Sequence, residues 1–355
     1  MRRGLRSFQK ALLQWFDAEA RDLPWRRGKD PYQVYIAEIV LQQTRVDQGL
    51  PYYLRFLERF PTLEALARAE EQDVLKLWEG LGYYTRARNM HRTARLLVEA
   101  SAGRFPETPE LLVLLPGIGR YTAGAIASIA FNQPVPLVDG NVKRVLARLH
   151  AIDAPVTGAA ADKLFWEKAA ALVPVDRPGD FNQAMMEMGA RICLPRTPQC
   201  AACPVSRHCE ARAQQKQMQL PVRPPKKQTP HYPVVVAVIR HHDRYLIGKR
   251  PSDGFLGGLW EFPGGRIEAG EHPESALRRE CLEELGATVK VGGLIAVAKH
   301  AYTHFKVTLH VYRCTIIAGT PAARFHTELR WVTAAQFSDY PFPKGNHKFL
   351  HLLSD

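Results

Sequence analysis

The sequence predicts a multi-domain protein with an all-α first part and an α+β second part. Three observations carry this. Apolar residues recur at helical spacing from the N-terminus to about residue 192. The stretch 214–230, QQKQMQLPVRPPKKQTP, is rich in Gln, Pro and Lys and poor in apolar residues, which predicts an extended, solvated tether. Beyond it the period changes to two, in β-branched runs such as Val234–Ile239. The expected division is 1–213, a linker 214–230, and 231–355.

Whole-chain properties narrow the class. A length of 355 residues suits two domains with sizeable cores. A formal net charge of +13 favours a polyanionic partner, the alternative being an ordinary basic surface. No run of eighteen apolar residues occurs, so no membrane partner is expected. The N-terminus, MRRGLRSFQKALLQWF, reads as an amphipathic helix rather than a signal peptide, and the expected location is cytoplasmic, nucleoid-associated in a bacterium. Four of the six cysteines fall within seventeen positions and two are scattered, unlike a secreted disulfide framework.

The first helix places Leu5, Phe8, Leu12, Leu13 and Phe16 on one stripe. The loop Arg21-Asp22-Leu23-Pro24-Trp25-Arg26 follows; Trp25 and Arg26 are read either as packing and solvated charge or as a wall of a base pocket. In the next helix Ile36, Ile39, Val40 and Leu41 surround Glu38. Burial disfavours an ionised carboxylate and raises its pKa, so a protonated Glu38 can donate to a leaving group. The alternative is a buried glutamate paired with an arginine. Gln42, Gln43 and Thr44 supply neutral hydrogen-bonding groups at that helix end, suited to bases and phosphates.

Residues 62–110 read as two or three short helices. Leu81-Gly82-Tyr83-Tyr84 combines an aromatic tip with the cations Arg86, Arg88, His91 and Arg92, a wedge and phosphate face or else a solvated basic face. Leu115-Pro116-Gly117-Ile118-Gly119 is a Gly-bracketed turn opening a small-residue helix, Tyr121 to Ala130. Backbone N–H groups at such a helix start bind phosphate. Asp139-Gly140-Asn141 then opens a second amphipathic helix and brings a carboxylate to the same region. Together with Tyr121-Thr122-Ala123-Gly124, this segment resembles the helix-hairpin-helix DNA glycosylases, the superfamily of endonuclease III. Further helices follow, including Leu164–Leu172 and Phe181–Ala190, whose Met and Ala stripe is read as core.

Cys193-x6-Cys200-x2-Cys203-x5-Cys209 can wrap one inorganic centre. Spacing by itself leaves zinc open; the 6-2-5 pattern is similar to the iron–sulfur loop of the endonuclease III branch. In the second part, Val234–Ile239 and Tyr245–Gly248 read as strands joined by a His-Asp-Arg turn. A helix from Pro273 to Leu285 closes on Gly286, and Val307–Val311 and Arg330–Val332 add strands.

With Ala37-Glu38-Ile39-Val40-Leu41-Gln42-Gln43-Thr44 as its most specific segment, nearly the whole chain resembles the adenine DNA glycosylases of the MutY type. That resemblance implies an all-α helix-hairpin-helix glycosylase domain with a [4Fe-4S] cluster on Cys193, Cys200, Cys203 and Cys209, a linker, and an α+β Nudix-like domain. It implies base excision repair on double-stranded DNA, releasing adenine mispaired with 8-oxoguanine or guanine, by a monomer. Glu38 takes the position that protonates the purine and Asp139 the one that faces the sugar, where the helix dipole is expected to keep it ionised. Arg26, Gln43, Thr44, Leu81, Tyr83, Gly117, Gly119, Tyr121, Asn141 and Gln183 are the implied DNA and substrate contacts. Tyr121 stands where lyases of the superfamily carry a Schiff-base lysine, and a phenol forms no imine. A monofunctional glycosylase is therefore expected; the alternatives are a lyase using another lysine such as Lys143, or a mismatch-binding protein without catalysis. In the second domain Tyr302, Thr303 and His304 match the loop with which the family reads 8-oxoguanine, usually written Phe-Ser-His.

That domain also keeps a Nudix box, Gly265-x5-Glu271-x7-Arg279-Glu280-Cys281-x-Glu283-Glu284-x-Gly286-Ala287. Glu280, Glu283 and Glu284 fall on one helix face, where repulsion favours a cation such as Mg²⁺ and hydrolysis of a nucleotide diphosphate bond. The alternative is an inherited box whose acids are solvated or paired with Arg278 and Arg279.

Overall fold

The computed structural model describes residues 2–223 and 228–353. Residues 224–227 of the expected linker lie outside the described residues. The described chain forms two compact units. One runs to Ala67 and resumes at Arg92 through the cysteine loop; the other joins Arg68–His91 to the C-terminal sheet. No helix among the described residues is long and apolar enough to cross a membrane.

The helices are α1 (Arg2–Glu19), α2 (Pro31–Leu41), α3 (Val46–Arg59), α4 (Leu63–Arg68), α5 (Glu71–Leu77), α6 (Thr85–Ser101), α7 (Pro109–Leu112), α8 (Arg120–Ile129), α9 (Gly140–Leu149), α10 (Ala159–Ala170), α11 (Pro178–Arg191) and α12 (Glu210–Ala213). Local chemistry sets several boundaries. Asp30 caps α2 by accepting Tyr32 N at 2.9 Å, with Pro31 at the first helical position. Asp139 caps α9 in the same way through Val142 N. The hairpin before α8 turns on Gly117 at φ +75°, a conformation that favours glycine, and Thr93 Oγ1 ties it down by donating to Pro116 O at 3.0 Å. The region read as two or three short helices holds α4, α5, the start of α7 and α6, which is not short but runs unbroken for 17 residues.

The expected tether is partly docked. Leu220 is buried, its carbonyl accepts Arg148 Nε at 2.9 Å, and Val222 O accepts Val156 N at 3.2 Å. One buried leucine and a carbonyl that satisfies a buried arginine suffice to hold a stretch whose composition reads as solvated.

The second unit contains β1 (His231–His241), β2 (Arg244–Lys249), β3 (Trp260–Glu261), α13 (Pro273–Leu285), β4 (Thr288–Ala301), β5 (Lys306–Ala318), β6 (Glu328–Thr333) and α14 (His347–Leu350). The sheet order is β3-β2-β1-β5-β4, with β6 pairing β2. β1 and β5 are parallel, Val234 opposite Leu309; the other pairings are antiparallel. Alternation along β1 feeds two cores: Val235, Ala237 and Ile239 meet Leu277, Cys281 and Leu285 of α13, whereas Val236 and Val238 join Phe262, Phe342 and Phe349. Gly286 ends α13 at φ +67°, as its position in the sequence predicts. The sequence reading did not pick out β3, which is two residues long, or β4, whose alternation is broken by bulges between Val291 and Ala296.

Arg68–His91 is fastened to the rest of the second unit by polar bonds. Gln72 donates to Gly258 O at 3.1 Å and accepts Trp260 Nε1 at 3.0 Å. Lys76 Nζ reaches Tyr340 O at 2.9 Å, and Glu79 accepts Phe342 N at 2.8 Å and bonds His347 Nε2 at 2.9 Å. Expectation by sequence position puts these residues with the preceding helices; their partners put them with the sheet.

In the first unit α8 runs against the 133–138 stretch so closely that a Cβ on Gly124 would lie 2.4 Å from Pro136 O. Gly124→Ala is expected to destabilise this unit by about 1–3 kcal/mol, measured as a lower thermal or urea unfolding midpoint.

Candidate active site and nucleic-acid interface

Glu38 sits in the middle of α2 between Ile36, Ala37, Ile39 and Val40, all buried, and is itself 6 % exposed. Its hydrogen-bond partner is a phenol: Tyr121 OH donates to Glu38 Oε2 at 2.5 Å and lies 3.4 Å from Met186 Sδ. That leaves Oε1 as the oxygen on which a proton can ride. Burial pushes the carboxyl up to about 7; the Tyr121 bond opposes this, the Asp139 charge adds to it, and Arg26 opposes it. The arginine-paired alternative is not what the structure shows.

Asp139 is half-buried at the start of α9. Its Oδ1 accepts Val142 N at 2.6 Å and its Oδ2 accepts Asn141 Nδ2 at 3.0 Å. Both oxygens face donors, the arrangement a carboxylate anion needs. The expectation of an anion held simply by the helix start is corrected in one respect. Burial raises the Asp139 pKa, and the bonds from Val142 and Asn141 work against that rise.

Asn141 serves the carboxylate rather than standing free for DNA. Its Oδ1 accepts Arg144 Nη2 at 2.9 Å, while Arg144 Nε donates to Cys193 O at 2.8 Å. One turn on, Arg148 Nη1 lies 3.2 Å from Cys193 Sγ and 2.7 Å from Leu194 O. Helix α9 therefore spans from the Asp139 carboxylate to the cysteine loop through bonded side chains.

The remaining expected contacts of this unit divide by role. Gly117 and Gly119 shape an exposed turn, and Gly119 gives α8 no side-chain cap. Gln43 is exposed at φ +57° just past α2, and Thr44 Oγ1 donates to Gln42 O at 3.3 Å. Gln42 itself bonds Thr122 Oγ1 at 3.1 Å. Trp25 packs edge-on against Tyr53 with centroids 5.0 Å apart. Arg26 is bound to Glu187 at 2.9 Å, and Gln183 is buried on the same helix, α11. Met186 and Glu187 were missed, because the α11 stripe reads as core; an acidic residue among its apolar neighbours was the available signal.

Cys193, Cys200, Cys203 and Cys209 line one cavity of about 30 Å³ together with Arg148 and Gln217. Among the described residues no group of three or more His, Cys, Asp or Glu converges on a single-ion position. Burial pushes the Cys203 thiol up to about 11.

In the second unit two segments far apart in sequence meet. Leu81–Tyr84 and His300–His304 line a cavity of about 460 Å³, closed by Arg88, Phe255 and Lys344. Tyr83 stands exposed at φ +50°. Tyr302 packs edge-on against His300 and Phe255, at 4.5 and 5.0 Å between centroids, and at a tilt against Phe305 at 5.1 Å, with Thr303 and His304 exposed beside it. The expected basic face is largely spent on this architecture. Arg86 donates to Gly82 O at 3.1 Å and packs over Trp78 and Tyr83, and burial pushes it down to about 10. Arg88 donates to Gly257 O, and His91 is buried. Arg92 remains exposed.

Comparison with known proteins decides the family. Residues 36–170 match the HhH-GPD superfamily base excision DNA repair proteins, and residues 234–352 match the NUDIX domain. The chain is 37 % identical to the adenine DNA glycosylase of Rattus norvegicus over 93 % of its own length and 75 % of the relative's. It is 35 % identical to that of Homo sapiens, over 93 % and 71 %. The chain belongs to the adenine DNA glycosylases. Among solved structures, a thermostable thymine-DNA glycosylase superposes with TM-score 0.53 at 29 % identity, over 60 % of this chain and 98 % of that one. An endonuclease III bound to DNA gives TM-score 0.51 at 22 % identity over 61 % and 98 %, which shows the shared helical fold.

In this glycosylase the Nudix box is tied up internally. Arg279 bonds Glu271 through Nε and Nη2, each at 3.0 Å, Glu280 at 2.9 Å and Glu283 at 3.4 Å. Glu284 is buried, accepts Gly264 N at 3.0 Å, and is pushed up to about 8 by burial and the Glu261 charge. The three helix acids thus do not share one solvent-facing environment, and an arginine already relieves the repulsion for which a cation was expected.

Proposed function

We propose that this glycosylase releases adenine mispaired with 8-oxoguanine or guanine from double-stranded DNA, acting as a monofunctional monomer on cytoplasmic or nucleoid DNA. The observation that carries the reading is the pair of unlike carboxyls: Glu38, buried with a pKa near 7, and Asp139, accepting two hydrogen bonds at a helix start. Glu38 Oε1 delivers its proton to N7 of the flipped adenine. The C1′–N9 bond then breaks with its electron pair leaving on the base, and the sugar becomes an oxocarbenium-like cation. Asp139 stabilises that cation until water adds to C1′ and passes its proton to the Glu38 carboxylate, which restores the acid. A mispaired adenine leaves the stack at lower cost, which favours it as substrate. Tyr121 bonds the acid and has no amine, which supports hydrolysis without a lyase step. Lys143 is engaged with Asp162 and Val156 O instead.

The four cysteines fit a [4Fe-4S] cluster. They line one cavity, and Arg148 offers a buried cation to Cys193 Sγ. Bound there, the cluster supplies a rigid, charged anchor for the loop. The Arg144 and Arg148 bonds in turn hold α9, and with it the Asp139 cap. The cavity of Leu81, Tyr83, Tyr302, Thr303 and His304 is read as the 8-oxoguanine pocket, since it joins aromatic faces to hydroxyl and imidazole groups. The Nudix box is read as an ion-paired scaffold around Arg279 rather than a Mg²⁺ site.

Glu38→Gln and Asp139→Asn are each expected to abolish single-turnover excision while leaving mispair binding intact. The wild-type rate should fall about tenfold per pH unit above about 7, because the acid must be protonated to act and Glu38 ionises there. Near-normal excision by either variant contradicts the mechanism. Thr303→Ala and His304→Ala should each reduce the preference for 8-oxoguanine over guanine by about 1–3 kcal/mol, read as the ratio of the two excision rates. Purified protein should be yellow-brown with about four iron atoms per chain; stoichiometric zinc in colourless, active protein contradicts the cluster.

A further inference from the structure

At the large cavity of the second unit, one of the cations is unspent. Two side chains of permanent positive charge, Arg88 and Lys344, line the space of about 460 Å³ that Tyr302, Thr303 and His304 also line. Arg88 is committed to Gly257 O and, at 3.3 Å, to Thr85 Oγ1. Lys348, four residues beyond Lys344, donates to Lys299 O. Lys344 itself is exposed, and among the described residues its ammonium has neither a hydrogen bond nor an ion pair. No described Asp or Glu lines the cavity to balance it.

The backbone under this lysine is nevertheless fixed. Asn346 N donates to Pro343 O at 2.9 Å, which closes a turn with Lys344 and Gly345 at its tip. Pro343, Gly345 and Asn346 are buried around the exposed lysine. A Cβ on Gly345 would stand 3.3 Å from Leu309 Cδ1 and 3.5 Å from Tyr302 OH, so the turn is seated directly on Tyr302. Lys348 N donates to Gly345 O at 3.3 Å and holds the turn from its other end. The Lys344 stem therefore leaves from a pinned position beside the loop that carries Thr303 and His304.

An ammonium offers three donors and no acceptor, so its partner in the cavity must be an electron-rich atom. Two kinds exist on a nucleotide: phosphate oxygens and acceptors on a base edge. The rings of Tyr83, Phe255 and Tyr302 suit the flat face of a base rather than a phosphodiester. Guanine and 8-oxoguanine differ at C8, which carries hydrogen in one and a carbonyl oxygen in the other. They differ also at N7, an acceptor in guanine and a donor in 8-oxoguanine.

We propose that Lys344 is a specificity-determining residue: from its seated turn it donates to the C8 carbonyl oxygen of the base opposite adenine, beside Thr303 and His304. The proposal rests on the reading of this cavity as the 8-oxoguanine pocket. No covalent bond changes and no proton is transferred.

The test measures adenine excision by the full-length protein at subsaturating enzyme, on duplexes with adenine opposite 8-oxoguanine, guanine or 8-bromoguanine. Lys344→Met keeps most of the stem and removes the charge. It should slow excision opposite 8-oxoguanine about tenfold, the size of one base-edge contact, and leave excision opposite guanine unchanged. Lys344→Arg keeps the donors and should keep most of the preference. Wild type should treat 8-bromoguanine as guanine, because bromine fills the C8 position as a poor acceptor. An equal loss opposite guanine marks a phosphate contact, a larger loss there marks N7, and no loss opposite 8-oxoguanine marks a solvated lysine; each overturns the proposal. So does a wild-type preference for 8-bromoguanine as strong as that for 8-oxoguanine, which reports bulk rather than an oxygen. Thr303→Ala and His304→Ala separate the two levels. If these and Lys344→Met all leave the ratio of 8-oxoguanine to guanine rates unchanged, the pocket reading falls and Lys344 with it. If they lower the ratio and Lys344→Met does not, only the present proposal falls.

Discussion

A carboxyl that must carry a proton at neutral pH has to be taken out of water without being handed to a cation. Under the role proposed for Glu38, that constraint organises the residues around it. Apolar neighbours on α2 supply the desolvation, and a neutral phenol from α8 takes one oxygen without neutralising a charge. The nearby arginines are bound to another anion on α11. Asp139 completes the arrangement: its charge raises Glu38 further, while its own oxygens are satisfied by the start of α9. Burial raises the pKa of both carboxyls, but their bonded partners differ: a phenol at Glu38, and a backbone N–H and an amide at Asp139.

The same helices carry mechanical continuity. Arg144 and Arg148 are buried cations whose donors are consumed by backbone carbonyls of the cysteine loop and its flanks, by Asn141, and by Cys193 Sγ. Such bonds leave little freedom in the register between the loop and the Asp139 cap. Arginine suits this work because its planar fork reaches several carbonyls at once without losing its charge.

In the second unit arginine plays a comparable part with a different consequence. Arg279 gathers three carboxylates around the start and middle of α13, and Arg86 braces the turn that presents Tyr83. Cations that a strongly basic sequence suggests are available for phosphate are, in these places, committed to shaping protein surfaces. The net charge of +13 still favours DNA, but the tally of arginines overstates how many contact it.

What the sequence by itself determined was whatever depends on neighbours close along the chain. The change from helical to β period, the caps at Asp139 and Gly286, the hairpin glycines, the apolar setting of Glu38 and the cysteine spacing are all local patterns. The tertiary structure decided which distant groups share an environment. It set Tyr121 on Glu38, Glu187 on Arg21 and Arg26, and Asn141 between Asp139 and Arg144. It joined Arg68–His91 to the sheet, so that Leu81 and Tyr83 share a cavity with Tyr302–His304. It also spent Glu271, Glu280 and Glu283 of the Nudix box on Arg279. Periodicity states which face of a segment is buried, but not against what. Desolvation, ion pairing and the resulting protonation states are properties of that partner and are fixed only once the chain has folded.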